Sequence, residues 1–363
     1  PTGTLAERAR KWEGLADDLT SSTCPLCSMG CQIKLETKGG RVIGALPDPL
    51  GEINNGQACV KGRFAPGIII SHKDRIKRPL IRRKGTLKEV KWNEAIDFAA
   101  SELTGYRGRK FAFISSPYCT NEEHYIFRKF TEKVMDSSKF SPMGIYQDIR
   151  YIDGQVPRWG SITDIPYSNS VLILADVTTS HPVFGVWITK ARAKGAKIVL
   201  IHPKKVSLSR WADVFIQNHP SSEAFILLHI MKSILDDGFS EENKRTLDKI
   251  KPFLKGLDST SLKIDSQAIK EAARCLGQGR PTTILYSDSL FQQPRAKEFL
   301  YAINNLSLIL DSEVVLPLFA EGNAVGQIFN SNNAHKRNMS YTQIMEEMEH
   351  GQIEALYSIG GIP

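Results

Sequence analysis

Apolar residues recur along most of this chain in two alternating rhythms. KFAFISS (110–116), SVLILADV (170–177), AKIVLIHP (196–203), TTILYSD (282–288) and EALYSIG (354–360) are short and mostly apolar, and read as buried strands. Between them lie stretches with apolar positions three and four residues apart. NEEHYIFRKFTEKVM (121–135), PVFGVWITKARAKG (182–195, ended by Gly195) and SEAFILLHIMKSILDDG (222–238) read as helices. So do SQAIKEAARCLGQG (266–279), KEFLYAINNLSLIL (297–310) and YTQIMEEMEHG (341–351). Apolar strands alternating with helices of this length predict an α/β fold with parallel sheets covered on both faces. The opening differs. LAERARKWEGLADDL (5–19) has mixed helical character, and residues 23–66 are Gly-rich and broken. They predict a few small strands around a loop-borne site: QIKLET, then RVIGAL after Gly39-Gly40. Asn93 is the expected N-cap of a helix over EAIDFAASEL.

A length of 363 residues allows two or three domains. No apolar run approaches the roughly 18 residues of a membrane helix, and no charged-then-apolar leader opens the sequence. This predicts no direct membrane insertion. The net charge is +8, with one dense basic run, KDRIKRPLIRRK, at 73–84. That run has no aromatic residue to stack on bases and no nucleic-acid-binding signature. A generally basic surface accounts for the charge most simply, and a partner subunit or an anionic cofactor is a better specific reason than nucleic acid.

Four of the six cysteines fall near the start, in CPLCSMGC (24–31) and CVKGRF (59–64). Disulfides would staple one small segment and leave the rest of a long chain without any, so thiolate ligands in a reducing compartment fit better. Cys24, Cys27 and Cys31, spaced by two and then three residues, with a remote Cys59, suit a [4Fe–4S] cluster. Zinc is the main rival. It more often uses two separated Cys-x2-Cys knuckles. Unrelated buried thiols are the third reading, and Cys119 and Cys275 read that way.

CPLCSMGC, GQACVKGRF and RIKRPLIRRKGTLKEVKWNEAIDFAA together resemble the start of the molybdopterin oxidoreductase superfamily. SNSVLILADVTTSHPVFGVWITKARAKGAKIVLIHPKK and EALYSIGGIP resemble later family segments, so the likeness runs along essentially the whole chain. It implies a small N-terminal [4Fe–4S] domain and two Rossmann-like αβα units, as in formate dehydrogenases and dimethyl sulphoxide reductases. The implied boundaries are 1–68 for the cluster domain, 69–149 plus 317–363 for an incomplete first αβα domain, and 150–316 for a second inserted into it. PTGTLAERARKWE resembles the segment after a ferredoxin-like region in the large iron–sulphur subunit of NADH:quinone oxidoreductase and in NAD-linked formate dehydrogenases. Together with a last strand that lacks a covering helix, this implies a section of a longer protein.

The resemblance makes Lys61 the lysine between cluster and pterin. It also places a metal ligand within 137–154, near Gln147, with Ser141 and Asp148 in reach. No cysteine lies there. Other pterin contacts have changed: His202-Pro203-Lys204 replaces Asp-Pro-Arg, Ala175-Asp176-Val177-Thr178 replaces an Asn-containing turn, and Asn218-His219-Pro220-Ser221-Ser222 replaces a Gly-rich stretch. GNAVGQ (322–327) survives, though its glycines can serve packing alone. Thr178, His181, His202, Lys204 and Asn323 are thus the candidate residues of a degenerate pterin site. His181 follows a strand end, where α/β folds bind ligands. No phosphate loop or complete dinucleotide fingerprint is present, so NADH would react on another subunit.

The expectation is an electron-transfer section of a multi-subunit NADH-linked oxidoreductase, without molybdenum or tungsten. Its partners would be NADH/flavin and ferredoxin-like subunits, in the cytoplasm or peripheral to a membrane complex. One alternative is a catalytic molybdenum or tungsten bis-molybdopterin guanine dinucleotide enzyme resembling formate dehydrogenase. Another is a structural module whose cluster lies on no electron path.

Overall fold

The computed structural model describes residues 14–143, 160–238, 244–257, 265–331 and 339–360. Strands β1 (Asp18–Thr23), β2 (Gln32–Lys38) and β3 (Arg41–Pro47) form an antiparallel meander. Gly39 and Gly40, with φ of 54° and 74°, close the tight turn between β2 and β3, where a left-handed backbone favours glycine. The mixed helical character of 5–19 does not reach its end: Asp18 and Leu19 belong to β1. The segment after β3 also differs from expectation, because Val60–Ile70 is a helix despite Pro66.

Strands β4 (Leu80–Arg83) and β5 (Thr86–Glu89) make a separate hairpin. The next helix spans Trp92–Thr104 and its N-cap is Lys91, not Asn93, which lies inside the first turn. β6 (Phe111–Ser115) and β7 (Phe140–Pro142) then pair in parallel, with the helix Asn121–Lys133 between them. The last strand, β13 (Ala355–Ile359), returns to the other side of β6. Phe113 stacks on Phe127 and Phe140 at 5.3 and 5.1 Å, filling one face of this sheet.

The larger sheet contains β8 (Ser170–Leu174), β9 (Lys197–Ile201), β10 (Val214–Ile216), β11 (Thr282–Ser287) and β12 (Val314–Leu318). All its pairings are parallel, in the order β10-β9-β8-β11-β12. Every residue of β8 is buried, as its uninterrupted apolar run requires. This strand is shorter than its sequence run: Val177–Ser180 is a helical turn. One face of the sheet is covered by the helices Glu223–Asp236, Ser266–Gln278 and Ala296–Leu310. On the other, the helix Phe184–Ala193 shares a single apolar core with Cys24, Met29 and Cys31. That shared core fixes the cysteine unit against the sheet. The α/β class is therefore borne out. Among the described residues no helix is long and apolar enough to cross a membrane.

His124 is wholly buried on the helix Asn121–Lys133, and neither ring nitrogen has a hydrogen-bond partner. Asn121 meets Asn323 and Arg128 meets the Asn330 carbonyl, so His124, one turn from each, faces the helix Ala324–Ser331. Burial pushes its pKa down to about 4. An unfolded histidine takes a proton near pH ~6.5, so between ~6.5 and ~4 the unfolded chain binds more protons than the native one. Stability from this group is therefore lost as pH falls through that window. His124→Leu should flatten this acid limb. Urea unfolding at pH 7 and pH 5 should show the wild type losing about 2 kcal/mol more than the variant. Equal losses would show that His124 takes up its proton as readily in the native state as in the unfolded chain.

Candidate metal centre

Cys24, Cys27 and Cys31 lie on the loop between β1 and β2. The Cys24 amide donates to the Cys31 carbonyl at 2.8 Å, so the loop closes on itself. Gly30, with φ of 62°, makes the return turn. Cys59 is the N-cap of the helix Val60–Ile70, and its sulphur accepts the Gly62 N–H at 3.5 Å. All four thiols line one recess, together with Lys61, Gly62, Ser180 and His181. A methyl group added at Gly62 would lie 3.6 Å from Cys24 Sγ and 4.0 Å from Cys59 Sγ, which places both sulphurs beside the helix start. Four thiols around one recess match the ligand count of a [4Fe–4S] cluster.

Burial raises the pKa of Cys24 and Cys27, and takes Cys31 to about 12 with help from the other thiols. Against this work the backbone N–H groups of Leu26, directed at Cys24, and of Met29, directed at Cys27. Lys61 also favours the thiolate at both positions. Left to themselves these buried thiols hold their protons. Iron would displace those protons, and the same N–H groups, Lys61 and the helix N-terminus would then stabilise the anionic ligand set.

His181 is buried in the same recess. Its Nε2 lies 2.7 Å from the Phe319 carbonyl, which can only accept, so Nε2 carries the proton. Its Nδ1 lies 2.9 Å from Ser180 Oγ, whose single proton also faces the Asp176 carbonyl at 2.8 Å. Burial lowers its pKa and keeps it neutral. Phe319 in turn holds the cysteine loop: the Ser28 N–H donates to its carbonyl and its own N–H donates to Ser28 Oγ, both at 3.0 Å. A methyl group added at Gly322 would fall 2.3 Å from the Pro25 carbonyl oxygen. Ser28, Phe319 and Gly322 are not among the sequence candidates. Ser28 and Phe319 are 291 residues apart, and no local pattern marks such a pair.

A second recess opens at the C-terminal ends of β8, β9 and β11, where the strand order reverses. Ser180 lines both recesses, so the turn Val177–Ser180 is the wall between them. His202 lines this cleft, with its Nδ1 accepting the Lys204 N–H at 3.1 Å. Asp176 and Glu223 also line it, and among the described residues no lysine or arginine does. The structure does not gather the remaining candidates there. Thr178 turns its hydroxyl to Asp176 (2.9 Å), and Lys204 is exposed. Asn323 donates to the Cys119 carbonyl at 2.8 Å and to Asn121 Oδ1, tying two loops together. Ser141 is buried in β7 and bonds the Pro142 carbonyl. Gln147 and Asp148 lie outside the described residues.

Residues 17–71 match the molybdopterin oxidoreductase Fe4S4 domain, and residues 75–362 match molybdopterin oxidoreductase. The chain belongs to the molybdopterin oxidoreductase family, and the [4Fe–4S] cofactor expected from the cysteine spacing is borne out by the domain match. It is 28% identical over 331 residues to the F420-dependent formate dehydrogenase subunit alpha of Methanocaldococcus jannaschii, covering 87% of this chain and 48% of that one. It is also 28% identical over 314 residues to an NADH-quinone oxidoreductase subunit of Rhizobium meliloti, covering 84% of this chain and 35% of the other. Among solved structures, the acetylene hydratase of Pelobacter acetylenicus shares the fold, with a TM-score of 0.67 at 18% identity. That match covers 80% of this chain and 43% of the hydratase. The chain thus spans less than half the length of these relatives.

Proposed function

We propose that this chain is the electron-transferring section of a multi-subunit NADH-linked oxidoreductase. Cys24, Cys27, Cys31 and Cys59 hold one [4Fe–4S] cluster, and Lys61 supports it electrostatically. When bound, the cluster supplies reversible one-electron storage at a potential set by burial and by N–H groups near sulphur. The observation that carries the reading is the meeting of four thiols on one recess. In this reading the pterin site has decayed. A dinucleotide pyrophosphate is best held by cations, yet among the described residues the cleft at the strand ends is lined by Asp176 and Glu223 and by no lysine or arginine. The chain divides at about 68, with 69–149 and 317–363 as one unit and 150–316 inserted between. It works beside NADH/flavin and ferredoxin-like subunits, in the cytoplasm or at the periphery of a membrane complex.

A second reading, a catalytic molybdenum or tungsten bis-molybdopterin subunit, is favoured by the likeness to formate dehydrogenase alpha subunits. Elemental analysis and EPR of protein purified without oxygen separate the two. About four irons per chain, a reducible cubane signal and no molybdenum or tungsten are the expected result. Stoichiometric molybdenum or tungsten would replace the first reading with the second. A cluster that neither dithionite nor partner subunits reduce would leave a structural role.

A further inference from the structure

The cysteine loop is held from outside as well as from within. Inside it, the Leu26 and Met29 N–H groups are aimed at the sulphurs of Cys24 and Cys27. The Ser28 N–H lies between them in sequence and is drawn elsewhere. It donates to the Phe319 carbonyl at 3.0 Å, while Ser28 Oγ accepts the Phe319 N–H. The same carbonyl has a second donor, His181 Nε2, at 2.7 Å. The other side of that peptide group is held too: the Ala320 N–H donates to Asp288 Oδ2 at 2.7 Å. Phe319, His181 and Asp288 are all buried. The peptide joining Phe319 to Ala320 is thus pinned at its N–H end by a carboxylate and at its C=O end by an imidazole.

His181 is itself fixed in place. Its N–H donates to the Val177 carbonyl at 2.9 Å, and its ring meets Phe184 edge-on at 5.8 Å, with 83° between the planes. Both ring nitrogens are engaged within the protein, Nε2 by Phe319 and Nδ1 by Ser180. The ring therefore has no donor or acceptor to offer a pterin, although it lines the recess of the four thiols. Its bond to Phe319 is a buried one, and losing such a donor leaves the carbonyl under-satisfied. The direction of that carbonyl decides where the Ser28 N–H goes. N–H groups directed at cluster sulphur favour the reduced, more negative state and raise its potential. An N–H drawn away from sulphur has the opposite effect.

We propose that His181 is a positioning residue for the cluster: by fixing the Phe319 carbonyl it seats the cysteine loop and draws the Ser28 N–H away from sulphur, which keeps the cluster potential low. This deepens the electron-transfer reading above and rests on it. The test uses anaerobic, cluster-loaded protein as natively purified. His181→Leu fills the space without a donor, whereas His181→Gln offers an amide N–H near the Nε2 position. In an EPR-monitored titration with dithionite, His181→Leu should raise the midpoint potential by about 59 mV, a tenfold change in the one-electron equilibrium, and His181→Gln by less than half as much. Amide exchange read by mass spectrometry should quicken about tenfold over 24–31 and 316–320 together in His181→Leu, and stay slow in His181→Gln. Potential and exchange equal to wild type in His181→Leu, at full iron, would overturn the proposal. So would equal shifts in the two variants, since the ring would then only fill space. Should His181→Leu not hold iron, Ser28→Ala decides. It removes one of the loop's two bonds to Phe319 and leaves every N–H in place, so potential and exchange should both rise, and no change in either would overturn the proposal. A wild-type cluster that dithionite leaves oxidised would strike the electron-transfer reading, and the exchange comparison would still decide for or against His181.

Discussion

Cys31→Ser is expected to abolish the cubane EPR signal and to drop iron well below the about four atoms per chain that a [4Fe–4S] centre holds. Cys31 is the most strongly proton-holding of the three loop thiols, at about 12, because it is buried among the others. A serine there offers a harder oxygen with a higher proton affinity, in a site that already penalises the anion. The loss should reach the fold as well. β1 is exposed along its whole length, and the apolar residues buried beneath the meander are few: Met29, Ile33, Ile43 and Ala45. So small a core leaves ligand binding as a large part of this unit's folding free energy. Hydrogen exchange should therefore speed up across β1–β3 in the variant while the amides of β8 and β11 stay protected. Cys119→Ser and Cys275→Ser serve as controls, since both side chains are buried away from the recess and should keep iron and signal. If Cys31→Ser retained a full cubane, or if the controls lost it, the ligand assignment would be wrong.

The features legible in the sequence are those written locally. Ligand spacing is local, and so is the apolar run that becomes β8 or β11. Even so, a strand's end is set by its surroundings: SVLILADV stops pairing at Leu174, because the chain turns into Val177–Ser180 to wall off the cysteine recess. The helix Val60–Ile70 is hidden for a different reason. Gly62, Pro66 and Gly67 are poor helix formers, and its cap is a cysteine, outside the usual Ser, Thr, Asp and Asn. The β4–β5 hairpin turns on Lys84-Gly85, both with positive φ. Lys-Gly is a weak form of the usual Asn-Gly signal, and its charged flanks mask the alternation. The candidate pterin residues show the limit most clearly. His181 and Asn323 stand out in the sequence by their place in family-like segments. In the fold each spends a hydrogen bond on backbone far along the chain, one on Phe319 and the other on Cys119. Which partner a polar side chain takes depends on contacts more than 100 residues away, and no spacing rule reports those.

Gly322→Ala tests the longest of these contacts. The glycine has no left-handed backbone requirement, so its replacement carries no intrinsic conformational penalty. Its cost is steric. The new methyl group would sit 2.3 Å from the Pro25 carbonyl oxygen and 2.7 Å from its carbon, both backbone atoms that cannot rotate aside. Either the cysteine loop moves out, breaking the paired Ser28–Phe319 bonds, or the turn after β12 moves and takes Asn323 away from Cys119. The first escape displaces Cys24, the immediate neighbour of Pro25, and the second withdraws the turn on which the cysteine loop is seated. Overpacking of this kind costs about 3 kcal/mol when no side chain can yield. Here it falls on the loop that supplies three ligands, so cluster loading should drop severalfold and the remaining EPR signal should broaden. Gly185→Ala is the matched control. It lies within the helix Phe184–Ala193 with open space where its methyl group would go, and should be neutral or stabilising by up to about 1 kcal/mol. Full iron, an unchanged signal and an unchanged melting temperature in Gly322→Ala would mean that the cysteine loop is not seated on the turn after β12. The two-point contact through Ser28 would then be incidental to the cluster.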